Sequence, residues 1–244
     1  MLRRLLFATA IVPLAAVLLS PIASASAATP TSCADVKARN PHAHDGAYTL
    51  APAGPAGPHL RLVCAGLAAP VAAPRLFLML ERAGDGLNFS QFTAGGTISG
   101  TNVVTSYTGL ALDPTPVSTS PLTFRVNITD QTFATSTGSA CCLGTEPITS
   151  MPYGVAADCN TPDSASGVAN IDLTGTGFHI AAPQMFAVQG FAAMGSVIML
   201  RPQIAVLSGG GFCGWNAPPD VPTPINQDAV NDPNQGFDLL IALD

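Results

Sequence analysis

Leu122-Thr123-Phe124-Arg125-Val126-Asn127-Ile128-Thr129 (LTFRVNIT, residues 122–129) alternates apolar and polar side chains along its length. A strand with one face against a core and the other in water has this two-residue period. The alternation therefore predicts a half-buried strand, and stretches of similar character lie on both sides of it. Residues 47–50, 60–64, 76–80, 87–92, 97–105, 167–173, 186–191, 197–207 and 237–242 are short runs rich in Val, Ile, Thr, Phe and Leu. Gly, Pro, Asn or Asp separates them, as turn and loop residues do. No window of twelve or more residues has clean helical periodicity. The expected class is mainly β: antiparallel sheets with long loops. One short N-terminal helix is expected at CADVKAR, residues 33–39. Ser32 is placed to cap it, and Asn40-Pro41 ends it, because a residue before proline avoids the helical region.

The chain opens with Arg3 and Arg4, an apolar run from Leu5 to Leu19, and small residues from Ala23 to Ala27. That order is the order of a secretory signal peptide, and the apolar run is short for a membrane span. Residues 1–27 are expected to be a leader and residues 28–244 a single domain. No membrane span is expected in the mature chain, which should be secreted. The formal net charge of −6 becomes −8 without Arg3 and Arg4, and Lys37 is the one lysine. Such a sparse, acidic charge set excludes nucleic acid and anionic membrane surfaces as partners. The stretch from Trp215 to Gly236 is dominated by Pro, Asn and Asp and reads as an exposed excursion before FDLLIALD.

All six cysteines, Cys33, Cys64, Cys141, Cys142, Cys159 and Cys213, follow the leader. An even number in an exported chain reads as disulfides. Cys141 and Cys142 are adjacent, and closing a ring between neighbours is strained, so each is expected to reach a different distant partner. No C-x-x-C spacing suggests a zinc site.

Motifs for catalysis are absent. H-E-x-x-H, the helix-borne zinc pair with its glutamate base, does not occur, and neither does G-x-S-x-G. In GTISG, residues 96–100, the serine stands one position late. The glutamates are Glu81 and Glu146 alone, which leaves a glycosidase pair to scattered aspartates. One polar cluster remains, in PHAHDGAYTL (residues 41–50). His42 and His44 share a face if the backbone is extended, so with Asp45 they could ligate one metal, zinc or calcium. The simpler reading is a polar turn, Asp45-Gly46, that starts a strand. His59 and His179 are single histidines beside apolar runs. Asn88-Phe89-Ser90 and Asn127-Ile128-Thr129 match the N-glycosylation pattern.

Several stretches taken together resemble the GON domain, the C-terminal module of ADAMTS-type secreted metalloproteases. They are Ser32-Cys33-Ala34-Asp35-Val36-Lys37, Asp45-Gly46-Ala47-Tyr48-Thr49-Leu50 and Val63-Cys64-Ala65-Gly66. In the same order follow Asn88-Phe89-Ser90, Arg125-Val126-Asn127-Ile128-Thr129, and Pro152-Tyr153-Gly154-Val155-Ala156-Ala157-Asp158-Cys159. Ile171-Asp172-Leu173-Thr174-Gly175-Thr176-Gly177-Phe178 and Gly210-Gly211-Phe212-Cys213-Gly214 complete the series. The first block is also similar to the opening of fibrinogen-like domains, and the later blocks favour GON.

The resemblance implies a disulfide between Cys33 and Cys64 that staples the helix to the first strand pair. It implies an accessory role, because the zinc-bearing catalytic domain of those proteases has no counterpart in these residues. The expectation is a secreted, disulfide-stabilised, non-catalytic binding module without a cofactor, whose partner is an extracellular protein or glycan. Zinc-dependent metalloendopeptidase activity or zinc binding through His42, His44 and Asp45 is the alternative. A calcium-using fibrinogen-like lectin is a further one.

Overall fold

A computed structural model describes residues 28–243 apart from 70–72, 85, 97, 142–146, 160–163, 183–185, 191, 212 and 219–237. The leader read at residues 1–27 and most of the 215–236 stretch lie outside the described residues.

The single α-helix among them, α1 (Cys33–Arg39), is fixed at both ends by its own sequence. Ser32 Oγ accepts the Asp35 N–H at 3.1 Å, which satisfies one of the donors a helix start leaves open. Asn40 leaves the helical region at the other end. Asp35 and Arg39, one turn apart, form a two-pronged ion pair with both contacts at 2.7 Å. Cys33 and Val36 are the buried side of the helix.

Nineteen strands follow among the described residues. The first six are β1 (Gly46–Leu50), β2 (Leu60–Ala65), β3 (Arg75–Met79), β4 (Phe89–Thr93), β5 (Ser99–Gly100) and β6 (Val103–Tyr107). Next come β7 (Gly109–Leu112), β8 (Ser118–Thr119), β9 (Leu122–Asn127), β10 (Ala134–Thr137), β11 (Ala140–Cys141) and β12 (Ala156–Asp158). The last are β13 (Gly167–Asp172), β14 (Phe178–Ile180), β15 (Ala187–Gly190), β16 (Met194–Arg201), β17 (Ile204–Gly210), β18 (Gly214–Ala217) and β19 (Asp238–Leu243).

They form two large sheets and a two-stranded ribbon of β11 with β5. The first sheet runs β1-β2-β3-β7-β9-β19-β14, with β8 beside β9. The second runs β15-β18-β12-β4-β13-β17-β16, and β6 branches from β4 to pair with β10. The mainly β, antiparallel architecture expected from the alternating runs is the one observed. One ladder departs from it: β12 pairs parallel to β4, with Ala157 opposite Phe92.

From Phe124 onward the alternation of LTFRVNIT is physical: Phe124 and Val126 of β9 and Ile128 just beyond it are buried while Arg125 and Asn127 face out, whereas at the start Thr123 is buried along with Leu122. Phe124 meets Phe178 edge-on, with ring centroids 6.1 Å apart. A single apolar cluster joins both sheets, running from Leu50, Leu62 and Phe124 in the first to Phe92, Val103 and Ile171 in the second. Fully burying one such side chain contributes about 1.5–3 kcal/mol.

Expectations in three places need correction: residues 99–105 carry not one strand but β5 in the ribbon and the start of β6 in the second sheet, and two further stretches differ. Residues 197–207 are not one strand but the hairpin β16–β17, reversed at Pro202-Gln203. Pro202 has no N–H to give a ladder, and the carbonyls of Pro202 and Gln203 instead accept the N–H groups of Ile180 and Leu173. Trp215 does not begin an exposed excursion. It lies in β18, whose four residues are all buried, because small neighbours let that strand sit against the β16–β17 hairpin. A Cβ on Gly209 would fall 2.1 Å from Ala156 O, so only glycine permits this approach.

Candidate functional site

The turn at residues 41–50 puts His42 and His44 on the surface and begins β1 at Gly46. Asp45 turns its carboxylate onto the loop after β2. Oδ2 accepts the Gly66 N–H at 2.9 Å and Oδ1 the Leu67 N–H at 2.8 Å. These two bonds favour the ionised form and hold the carboxyl below its ordinary range. Tyr48 adds a clasp by donating its hydroxyl to His44 O at 2.6 Å. Asp45 thus serves the turn, and among the described residues no further acidic, cysteine or histidine side chain joins it and the histidines in a group. Among the described residues no group of three or more His, Cys, Asp and Glu side chains is placed to hold one metal ion. His59 is exposed and His179 half-buried.

The densest polar cluster surrounds Asn88, which is fully buried with a left-handed backbone (φ 50°) that asparagine tolerates. Its Nδ2 donates to Arg82 O at 2.6 Å and to Asp172 O at 2.8 Å. Its Oδ1 accepts the Asp172 N–H at 2.8 Å and the Tyr153 hydroxyl. Asn170 Oδ1 accepts the Asn88 N–H at 3.0 Å. Arg82 closes the cluster from the surface with a 3.0 Å ion pair to the buried Asp172. Tyr153 and Tyr107 are stacked edge-on at 5.0 Å, and burial drives both phenols far above their ordinary range. The cluster ties β4 to β13 and to the Tyr153 segment, which is a structural task. It also separates the two glycosylation-type triplets: the Asn88 amide is fully engaged inside, whereas Asn127 is exposed.

Cys33 and Cys64 are joined, with Cα atoms 5.5 Å apart, and Cys159 is joined to Cys213. These pairs use four of the six cysteines, so none of those four is the distant partner expected for Cys141. Cys141 is disulfide-bonded, and Cys142 lies outside the described residues. Beside the second bridge, the fully buried Asp158 accepts both the N–H and the hydroxyl of Ser166 on Oδ2, at 2.7 and 2.6 Å.

One surface feature escaped the sequence reading. On β16, Met194, Ile198, Met199 and Leu200 are 43%, 56%, 49% and 60% exposed. The available signal was the unbroken apolar run Val197-Ile198-Met199-Leu200, which lacks the alternation of a half-buried strand. Gly195 explains how the hairpin still packs at its inner face: a Cβ there would lie 2.6 Å from Ser208 O and 3.1 Å from Asn216 Cβ. Asn216 Nδ2 then reaches the carbonyls of Ser196 and Ser208, each at 3.0 Å.

No curated protein and no solved structure matches the chain significantly. A family model described as GON domain matches residues 30–223. That span contains the Asp45 turn, the Asn88–Tyr153–Asp172 cluster, both described disulfides and the β16–β17 hairpin. The chain belongs to the GON domain family.

Proposed function

We propose that this extracellular, accessory-type domain works by binding an extracellular protein or glycan and performs no catalysis of its own. The observation that carries this reading is the state of Asp45. The one cluster in which the sequence offers metal-site chemistry has both carboxylate oxygens committed to the Gly66 and Leu67 N–H groups. A carboxylate so held is a turn clamp, and a hydrolytic centre built on His42 and His44 would lack its acidic member. Family membership supports the accessory role, and the disulfides accord with an oxidising compartment. Residues 1–27, as a leader, would deliver the chain there.

A zinc-binding reading keeps one supporting observation, because His42 and His44 are both exposed and two positions apart. Their imidazoles would supply two nitrogen ligands, and water would have to complete the shell.

The test pairs binding with turnover. Purified protein is presented with immobilised extracellular proteins and glycans, and in parallel with soluble protein and polysaccharide substrates. The reading predicts saturable binding and no product. Product formation that disappears on point changes in this chain overturns it.

A further inference from the structure

Among the described residues six strands of the two large sheets pair on one side only: β1, β14, β15 and β16, with the branch strands β8 and β10 of two and four residues. The first three are five, three and four residues long, whereas β16 has eight. A long edge strand offers a row of unpaired backbone groups, and proteins blunt such edges with charge, proline, bulges or cover. Here β16 carries those devices only at its C-terminal end: a register break between Met199 and Arg201, the Arg201 charge, and Pro202 just beyond. From Met194 to Met199 there is none. This unprotected part carries Met194, Ile198 and Met199, and Leu200 adjoins it, so four of the six exposed large apolar side chains of the described residues lie on one strand.

We infer that this edge is an interface between two copies of the chain, with β16 of one pairing antiparallel to β16 of the other about Ile198. The strand is self-complementary in that register. Ile198 lies opposite its own counterpart and Met199 opposite Val197, so apolar meets apolar at the centre. Arg201 of each copy falls opposite Gly195 of the other, which has no side chain to collide with it. The two arginines are then six positions apart, about 20 Å along the ladder. That exceeds the screening length of about 8 Å at physiological salt, so like charge does not oppose the pairing. The register break between Met199 and Arg201 falls inside this ladder, so its regular part is centred on Val197-Ile198-Met199, and it ends where Met194 meets Pro202, which cannot donate. A two-fold pairing of this kind is closed and ends at two copies. The two methionines adapt their shape to the facing surface.

The experiment is sedimentation velocity of the full mature chain over micromolar to sub-millimolar concentrations. A monomer–dimer equilibrium is expected. Ile198→Lys, which places two like charges at the two-fold centre, shifts the chain to monomer, while Val117→Lys, at an exposed apolar site elsewhere, leaves the dimer. Ile198→Cys cross-links copy to copy under mild oxidation and Val117→Cys does not. Wild-type protein that stays monomeric throughout, or dimerisation unchanged in Ile198→Lys, overturns the inference. It stands on the edge strand alone, so a monomeric result leaves the binding reading intact.

Discussion

Tyr153 donates its buried hydroxyl to Oδ1 of Asn88, a residue 65 positions earlier in the chain. The same oxygen takes the Asp172 N–H, so three distant segments meet on one side-chain amide. Asn88→Ala strands the buried Tyr153 hydroxyl and the buried N–H and carbonyl of Asp172, and removes the partner of the part-buried Arg82 carbonyl. Each orphaned buried group costs about 1–3 kcal/mol. Chemical denaturation of the variant should therefore show a loss of at least about 3 kcal/mol. A loss below about 1 kcal/mol would mean that the cluster does not hold these segments together.

Alkaline pH tests the same cluster. Burial raises the Tyr153 and Tyr107 phenols well above their ordinary value near 10. For a group whose folded-state pKa is raised, the stabilisation is complete below the unfolded value and is lost as pH rises past it. Stability should fall with pH above about 10. In Tyr153→Phe the fall should be shallower, because one of the two phenols is gone. An equally steep fall in the variant would contradict the assignment.

Asp45 gives the acid counterpart. Its folded-state pKa is depressed by the Gly66 and Leu67 N–H groups, so its contribution is present above the unfolded value, about 3.9, and is lost as pH falls through the lower folded value. Asp45→Asn should flatten the acid limb of a stability–pH profile and leave neutral binding unchanged. An unaltered acid limb would show that the carboxylate does not clamp the turn.

The Cys33–Cys64 bridge closes a loop across 31 positions and joins α1 to β2. Loop-closure entropy assigns such a bridge about 3–4 kcal/mol. The Cys33→Ala, Cys64→Ala double variant should melt at lower temperature by a corresponding amount, with the far-ultraviolet spectrum of the sheets retained. An unchanged melting temperature would remove the staple from the account.

Where burial is one-sided, the chain announces its structure locally. LTFRVNIT shows β9 because Arg125 and Asn127 face water between Phe124, Val126 and Ile128. Ser32, Asp35 and Asn40 mark α1 because capping and the avoidance of helix before proline act over a few residues. The strands β12 and β18 stayed hidden because Ala156–Asp158 and Gly214–Ala217 are short, buried throughout, and mix small residues with Asp158 and Trp215 without a two-residue period. The β16–β17 reversal was masked by apolar residues that continue up to Arg201-Pro202. The polar cluster was equally out of reach: pairing of β4 with β13 brings Asn88 to Asp172, and Tyr153 joins them from the segment before β12. At the candidate site, Asp45-Gly46 read as a turn from its residues alone, whereas the partners of Asp45 are 21 and 22 positions away.

The central claim is that PHAHDGAYTL is a turn in a binding module and not a metal centre. The direct measurement is the metal content of untagged mature protein by mass spectrometry after mild dialysis. No stoichiometric zinc or calcium is expected. About one zinc per chain, lost in the His42→Ala, His44→Ala double variant, would contradict it and make these histidines the ligands of a real site.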